Sequence, residues 1–337
     1  MSIYGLTREE LEQYFLTINE KKFKALQIFE WLYQKKERNI ANFSNIKKEI
    51  RERLQKDFAF DLPTIVKREI DEDVEKFLFK LSDGEHIEAV LMRHNYGLSV
   101  CVSSEVGCNM GCRFCESGRL KKVRNLEAYE MVGQIIQIEK EINERIKSVV
   151  IMGIGEPLDN YQNVMNFIKI INDPKGLAIG ARHITLSTCG LIPKIKELST
   201  FPLQINLAIS LHAPNDELRS SLMPINKAYP LKDVIAAVKE YIEKTNRRVT
   251  MEYILLKDVN DSIACAHELA TLLRGMNVYV NLIPYNETNH LEFKKSSQKA
   301  IDAFYQTLQK EKINVTVRRE FGSKISAACG QLRSKEL

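Results

Sequence analysis

The sequence predicts an α/β fold around a parallel sheet, either open or curled into a partial barrel. Two observations lead there. Beyond Cys101, strand-like apolar runs alternate with helical stretches, the rhythm of a parallel sheet with crossover helices. The chemically unusual residues fall just after those runs, and parallel sheets place active sites at the C-terminal ends of their strands. The composition agrees. A chain of 337 residues with 44% hydrophobic and 28% charged side chains is globular rather than disordered, and it has room for one large domain and a small one.

Taken in order, residues 1–60 read as helices. Thr7 with Glu10 forms a capping-box pattern that opens a helix over 7–15, and further helices are expected over 23–33 and 46–58. Phe23, Phe29, Trp31, Phe43 and Phe58 are the expected core of this unit. Its Lys/Arg residues outnumber its acids, which suits a solvated face or, less commonly, a nucleic-acid footing. From about residue 64 the character changes. Strands are expected over 77–81, 87–92 and 98–102, with turn formers Ser82-Asp83-Gly84 and Asn95-Tyr96-Gly97 between them. Later strands are expected over 148–152, 183–187, 205–210, 249–255, 278–283 and 315–318. The intervening helices include 128–142, 231–243, 263–273 and 297–308. Just after strands come Cys108, Gly153-Ile154-Gly155-Glu156-Pro157, Ser187-Thr188, Ser210-Leu211-His212 and Pro284-Tyr285-Asn286.

Several function classes are disfavoured. No apolar run approaches the roughly 18 residues of a membrane span, and the polar first ten residues do not resemble an export signal. A cytoplasmic, reducing location without a membrane partner is expected. The net charge of +5 permits a nucleic-acid partner without demonstrating one. Seven cysteines, an odd number, suggest metal binding or catalysis more than structural disulfides.

Cys108-Asn109-Met110-Gly111-Cys112-Arg113-Phe114-Cys115 is the most informative stretch. Structural zinc takes four closed ligands, and a four-iron cluster normally takes four thiolates. Three thiolates leave one iron open for a small molecule to chelate. On the residues alone, packing thiols or a zinc site completed from elsewhere stay open. The CxxxCxxC pattern, with an aromatic residue before its last cysteine, resembles the radical S-adenosylmethionine (SAM) superfamily. The resemblance implies a [4Fe-4S] cluster on Cys108, Cys112 and Cys115, whose open iron is chelated by SAM, and a radical SAM partial (β/α)6 barrel. Gly153-Ile154-Gly155-Glu156 resembles that superfamily's glycine-rich segment, which receives the SAM amino group; alone it would read as a tight turn.

Two cysteines outside the triplet narrow the resemblance. Cys101-Val102-Ser103-Ser104 and Ala327-Ala328-Cys329-Gly330-Gln331-Leu332 are similar to segments of the RlmN/Cfr family of radical SAM RNA methyltransferases. So are Gln27-Ile28-Phe29-Glu30-Trp31, Ser210-Leu211-His212-Ala213-Pro214-Asn215, Met223-Pro224-Ile225-Asn226 and Asn281-Leu282-Ile283-Pro284-Tyr285-Asn286. The likeness covers essentially the whole chain. It implies four parts: a helical RNA-binding accessory domain at 1–60, a β-rich connection at 61–97, the radical SAM core at 98–326, and a C-terminal segment at 327–337.

The resemblance also implies a mechanism. Carbon 2 of adenine is too poor a nucleophile for polar methyl transfer, so cofactor-borne radical chemistry fits. One SAM methylates Cys329. A second supplies a 5'-deoxyadenosyl radical that takes a hydrogen atom from the S-methyl group. The carbon radical adds to adenine, and Cys101 removes the adduct proton and closes a disulfide with Cys329. Glu88 matches the family's proton-accepting carboxylate. Gly155, Glu156, Ser187, Ser210, Leu211, His212 and Asn286 match its SAM contacts. The implied partners are 23S rRNA, tRNA and a flavodoxin-type reductant, and a monomer is expected. Arg119-Leu120-Lys121-Lys122-Val123-Arg124, beside the site, could hold RNA phosphates.

Some residues depart from the family pattern. Glu116-Ser117-Gly118 stands where a small residue, Thr and Gly are usual, and Lys324-Ile325-Ser326 where Asp-Ile-Asp is usual. Gly155-Glu156-Pro157-Leu158 looks like the carbon-2 type. The alternative is a Cfr-type enzyme methylating carbon 8 and giving antibiotic resistance, which Glu320-Phe321-Gly322 resembles. Cys189 and Cys265 are expected to be packing residues.

Overall fold

In the computed structural model, which describes residues 1–288, 290–318, 325–328 and 330–332, the chain opens with helices α1 (Arg8–Thr17), α2 (Phe23–Phe29) and α3 (Lys48–Asp57). The capping box at α1 is formed on both sides. Thr7 Oγ1 accepts from the Glu10 N–H at 3.2 Å, and Glu10 Oε2 accepts from the Thr7 N–H at 2.8 Å. The helix expected over 23–33 is α2 followed by a π-helical turn, Glu30–Gln34. Phe29 and Phe43 are buried, and Trp31 and Phe58 pack against the core. Phe23 contradicts its expectation. It is 54% exposed, because it opens α2 on the face away from the buried Ala25, Ile28 and Phe29.

Four antiparallel-paired strands follow: β1 (Thr64–Asp71), β2 (Val74–Lys80), β3 (His86–His94) and β4 (Gly97–Val102). A small ribbon pairs β5 (Glu105–Val106) with β6 (Arg124–Asn125), bracketing the cysteine triplet. The rest alternates in order: α4 (Ala128–Ile142), β7 (Ile146–Ile151), α5 (Tyr161–Asn172), β8 (Ile184–Thr188), α6 (Ile192–Leu198), β9 (Asn206–Ser210), α7 (Asp216–Leu222), α8 (Leu231–Thr245), β10 (Val249–Leu255), α9 (Ile263–Leu273), β11 (Val278–Pro284), α10 (Gln298–Lys310) and β12 (Val315–Val317). From β4 through β7–β11 to the short β12, every neighbouring pair is parallel. The expected α/β partial barrel is therefore present, extended at its β4 edge by the antiparallel β1–β3.

Side-chain alternation sets what each face does. On β3 and β4, Ile87, Ala89, Leu91, Val100 and Val102 point to the main apolar core. Val90, Met92 and Cys101 point the other way, into a smaller cluster with Ile154, Ala327 and Leu332. The main core runs without a break from Ile3 to Leu308, so the helical unit shares it with the barrel. Ion pairs Arg8–Asp173 (3.2 Å), Lys36–Glu139 (2.7 Å) and Lys175–Glu30 (2.6 Å) frame that junction. Among the described residues no helix is long and apolar enough to cross a membrane.

Candidate active site

The strand ends converge on a cavity of about 150 Å³. Cys108, Cys112 and Cys115 line it, with Gly155, Glu156, Ser187, Ser210 and His212. Eight residues selected from sequence thus meet at one place. Leu211 lies behind the wall, fully buried, with its N–H donating to the Glu252 carbonyl at 3.0 Å. Among the described residues no three His, Cys, Asp or Glu side chains converge on a single-ion point. All three thiols line this one cavity. With the polar side chains of Glu156, Ser187, Ser210 and His212 lining the same cavity, that donor set fits a three-thiolate cluster with one open iron.

Local chemistry explains how the loop holds. The Cys108 N–H donates to the Leu120 carbonyl at 3.0 Å and the Cys115 N–H to Cys112 at 3.2 Å. Burial pushes the Cys108 thiol up to about 12 and the Cys112 thiol well above its usual value, so metal loading must displace protons from both. Phe114 sets its ring edge-on to His212, with centroids 4.8 Å apart.

Gly155 takes φ +108, and a Cβ there would lie 2.6 Å from the Glu105 side chain, so only glycine fits this turn. Glu105 Oε2 accepts from the Glu156 N–H at 3.1 Å, while Lys122 Nζ donates to Glu105 Oε1 at 2.6 Å. Burial raises the Glu105 carboxyl to about 7, against the opposing pull of Lys122 and that N–H. Glu156 accepts from the Leu158 and Cys189 N–H groups at 3.0 and 2.8 Å, and burial raises its pKa too. His212, at φ +59, accepts on Nδ1 from the Ile254 N–H at 3.0 Å. Burial, aided by the Arg219 charge, lowers it to about 3, so the imidazole is neutral with its proton on Nε2.

A second cavity adjoins the first through Cys115, Ser117, Met152, Gly153, Ile283, Arg318 and Gly330. Cys101 and Asn286 line it, as do Ala328 and Gly330. Cys329 lies outside the described residues, but the residues on both sides of it face the same space as Cys101. The segment around it is tied down. The Glu116 N–H donates to the Gly330 carbonyl at 2.8 Å. Ser117 Oγ donates to the Leu332 carbonyl at 2.9 Å, and Gln331 Nε2 to the Glu287 carbonyl at 3.0 Å. Glu88 is buried on β3, on the same face as Val90, and pairs with Lys76 at 3.4 Å. It lines neither cavity.

Other expectations fare differently. In the basic run, Lys122 pairs with Glu105 and Asp159, Arg124 with Glu130 and Asp83, and Arg119 with Glu116. Three of its four cations thus serve the fold, leaving Lys121 exposed. Cys189 packs in the main core as expected and also lines the first cavity. Glu116 is buried against Arg119, and Lys324 and Glu320-Phe321-Gly322 lie outside the described residues. Sequence reasoning missed Glu105, Glu252 and Arg219. Glu252 lines the first cavity and accepts from Asn281 Nδ2 at 2.8 Å. Arg219 is 0% exposed. Single polar residues within strands and helices carry no spacing signal; only the position of Glu105, three before Cys108, hinted at its role.

Comparison with known proteins follows this geometry. Residues 1–59 match the ribosomal RNA large subunit methyltransferase N-terminal domain, and residues 102–268 match the radical SAM superfamily. A protein of Enterococcus faecalis named probable dual-specificity RNA methyltransferase RlmN is 54% identical, covering 100% of this chain and 97% of its own length. A protein of the same name from Acholeplasma laidlawii is 54% identical, with 100% of both chains covered. The crystal structure of a radical SAM methyltransferase from Sphaerobacter thermophilus superposes with a TM-score of 0.93 at 43% identity, covering 99% of this chain and 100% of that one.

Proposed function

The chain belongs to the RlmN family of radical SAM RNA methyltransferases, and on that premise we propose that it methylates carbon 2 of an adenosine in the peptidyl-transferase centre of 23S rRNA and of the anticodon-adjacent adenosine of tRNA. The observation that carries this reading is the shared cavity. Cys101 and both neighbours of Cys329 line one space that opens onto Cys115 of the triplet. That puts Cys101, the two residues flanking Cys329 and the cluster loop around one small volume, which supports the proximity the reaction requires.

Cys108, Cys112 and Cys115 would hold a [4Fe-4S] cluster, with SAM along Gly155, Glu156, Ser187, Ser210 and His212; Asn286 would reach it from the second cavity and Leu211 would back the wall. Together these groups supply the methyl group and the 5'-deoxyadenosyl radical. Cys329 accepts the methyl group on sulfur and gives up one hydrogen atom from it, and the carbon so activated bonds to adenine. Cys101 would take the proton from carbon 2 while the unpaired electron of the adduct would return to the oxidised cluster. Its sulfur would then bond to the Cys329 sulfur, breaking the sulfur–methylene bond, and the released carbon would pick up a proton to become the methyl group, with two electrons and two protons from a flavodoxin-type reductant and solvent restoring both thiols. Glu88, on the same strand face as Val90, is the carboxylate available as proton acceptor. In this reading residues 1–60 bind RNA, 61–97 connect, 98–326 form the core and 327–337 bring the carrier. The adenosine must leave its stack to reach the cavity.

The test is turnover by anaerobically reconstituted protein with SAM, flavodoxin-type reductant and either a 23S rRNA fragment or tRNA, followed by digestion and mass spectrometry. 2-Methyladenosine in both RNAs is expected. 8-Methyladenosine would assign the chain to the Cfr type.

A further inference from the structure

Arg219 is a buried charge that, among the described residues, has no carboxylate paired with it. Its side chain is the largest among the fully buried ones. Nε donates to the Leu211 carbonyl at 3.3 Å and Nη2 to the Cys189 carbonyl at 2.6 Å; Nη1 reaches Asn226 Oδ1 at 2.6 Å and the Tyr229 carbonyl at 3.3 Å. Every acceptor is neutral. Among the described residues no carboxylate is hydrogen-bonded to it. Asp216, exposed on α7, reaches it only through Asn226, whose Nδ2 donates to Asp216 Oδ1 at 2.9 Å. A guanidinium cannot shed its proton to escape burial, and holding an unpaired charge in the interior is costly.

The anchors show where the charge is directed. Leu211 and Cys189 follow β9 and β8; Cys189 lines the first cavity and Leu211 precedes His212, which does too. Arg219 therefore sits one residue layer behind the cavity wall, on a helix whose Leu222 carbonyl accepts from the Arg113 N–H of the triplet loop at 2.9 Å. Burial lowers its pKa, while Cys189, Cys112 and Asp216 draw it back up; the coupling to Cys112 reaches into the triplet itself. Three thiolates around a four-iron cluster carry net negative charge, which grows by one when the cluster is reduced.

We propose that Arg219 is a positioning residue for electron uptake: its fixed positive charge raises the reduction potential of the cluster held by Cys108, Cys112 and Cys115, while its hydrogen bonds fix the β8 and β9 ends around SAM. The missing counter-charge is the cluster. This rests on the reading of the triplet given above. A fixed charge in a water-poor interior acts more strongly than one in solvent, and it favours the more negative, reduced cluster.

The experiment measures the midpoint potential of the reconstituted, SAM-free holoenzyme by redox titration with electron paramagnetic resonance. Arg219→Met is expected to lower the reduced-to-oxidised ratio at the wild-type midpoint by about tenfold, which is about 59 mV for one electron. Arg219→Lys, which keeps the charge, is expected to shift it much less. Should Arg219→Met not take up iron, the double variant D216N/N226D decides. It moves a carboxylate onto the guanidinium at unchanged net charge, and is expected to shift the potential in the same direction. A wild-type potential in every iron-loaded variant, or an equal shift in Arg219→Lys and Arg219→Met, overturns the inference. A wild-type chain that binds no iron overturns the cluster reading and this inference with it.

Discussion

His212 shows how one side chain ties stability to pH. Its folded-state pKa, about 3, lies below the ordinary 6.5 because the ring is buried. Between those values the unfolded chain binds a proton that the folded chain refuses. Stability from this group is therefore complete above pH 6.5 and is lost as pH falls towards 3, at up to about 1.4 kcal/mol per unit. In His212→Gln that slope is absent. Denaturant titrations of the apo-proteins at pH 7 and 5 should show the wild type losing about 2 kcal/mol more than the variant; parallel losses would mean the imidazole is protonated in place. The two thiols proposed as carrier and resolver give a different prediction. Cys329→Ala should carry no methyl group by intact-mass measurement after incubation with SAM. Cys101→Ala should trap a covalent RNA–protein adduct on a denaturing gel, and normal turnover by either variant contradicts their roles.

At the scale of elements, the cluster loop depends on backbone contact that no side chain can replace. A Cβ on Gly118 would lie 2.6 Å from the Cys112 carbonyl oxygen and 2.9 Å from its nitrogen. Gly118→Ala must displace the loop. It is expected to cut iron bound per chain well below wild type, while Gly180→Ala, whose Cβ meets only His183 at 3.4 Å, leaves loading intact. The same contrast applies in the helical unit. Phe43, at 0% exposure and stacked on Trp31 at 5.1 Å, should cost about 3–5 kcal/mol as Phe43→Ala; Phe23→Ala should stay within about 0.5 kcal/mol. Equal losses in chemical denaturation would put Phe23 back in the core. Much of this level was legible in advance, because apolar runs such as 249–255 and one-sided helices such as 128–142 are set by what they bury. Strand β1 escaped notice since its burial pattern is mostly exposed and its residues are largely charged. Helices α5, α6 and α7 are absent from the sequence expectation. The cysteines, glycines and short polar residues of the site were legible through spacing. Arg219, Glu252 and Glu105 were not, because their importance comes from burial and from partners distant in sequence.

At the scale of the whole molecule, the helical unit is joined to the barrel by substance as well as by function. Ile3 and Tyr4 are buried, Tyr33 Oη donates to the Tyr4 carbonyl at 3.0 Å, and a Cβ on Gly5 would stand 3.3 Å from the Tyr129 nitrogen at the start of α4. Arg38 Nη2 donates to Gln137 Oε1 at 2.8 Å and Gln34 Nε2 to the Pro174 carbonyl at 2.9 Å. An accessory domain that merely recruited RNA could be linked by a few such polar bonds and would unfold separately. A continuous apolar core instead couples the two parts. The chain lacking residues 1–60 should therefore fail as a barrel and not merely as an RNA binder: it is expected to aggregate in light scattering and to take up little iron. The full chain should unfold in one transition, coincident by tryptophan fluorescence at Trp31 in the helical unit and by circular dichroism, which reports mainly on the barrel. A soluble, iron-loaded 61–337 chain, or separated transitions, would show instead that the helical unit is a detachable module, and that the shared core contributes little to holding the catalytic barrel together.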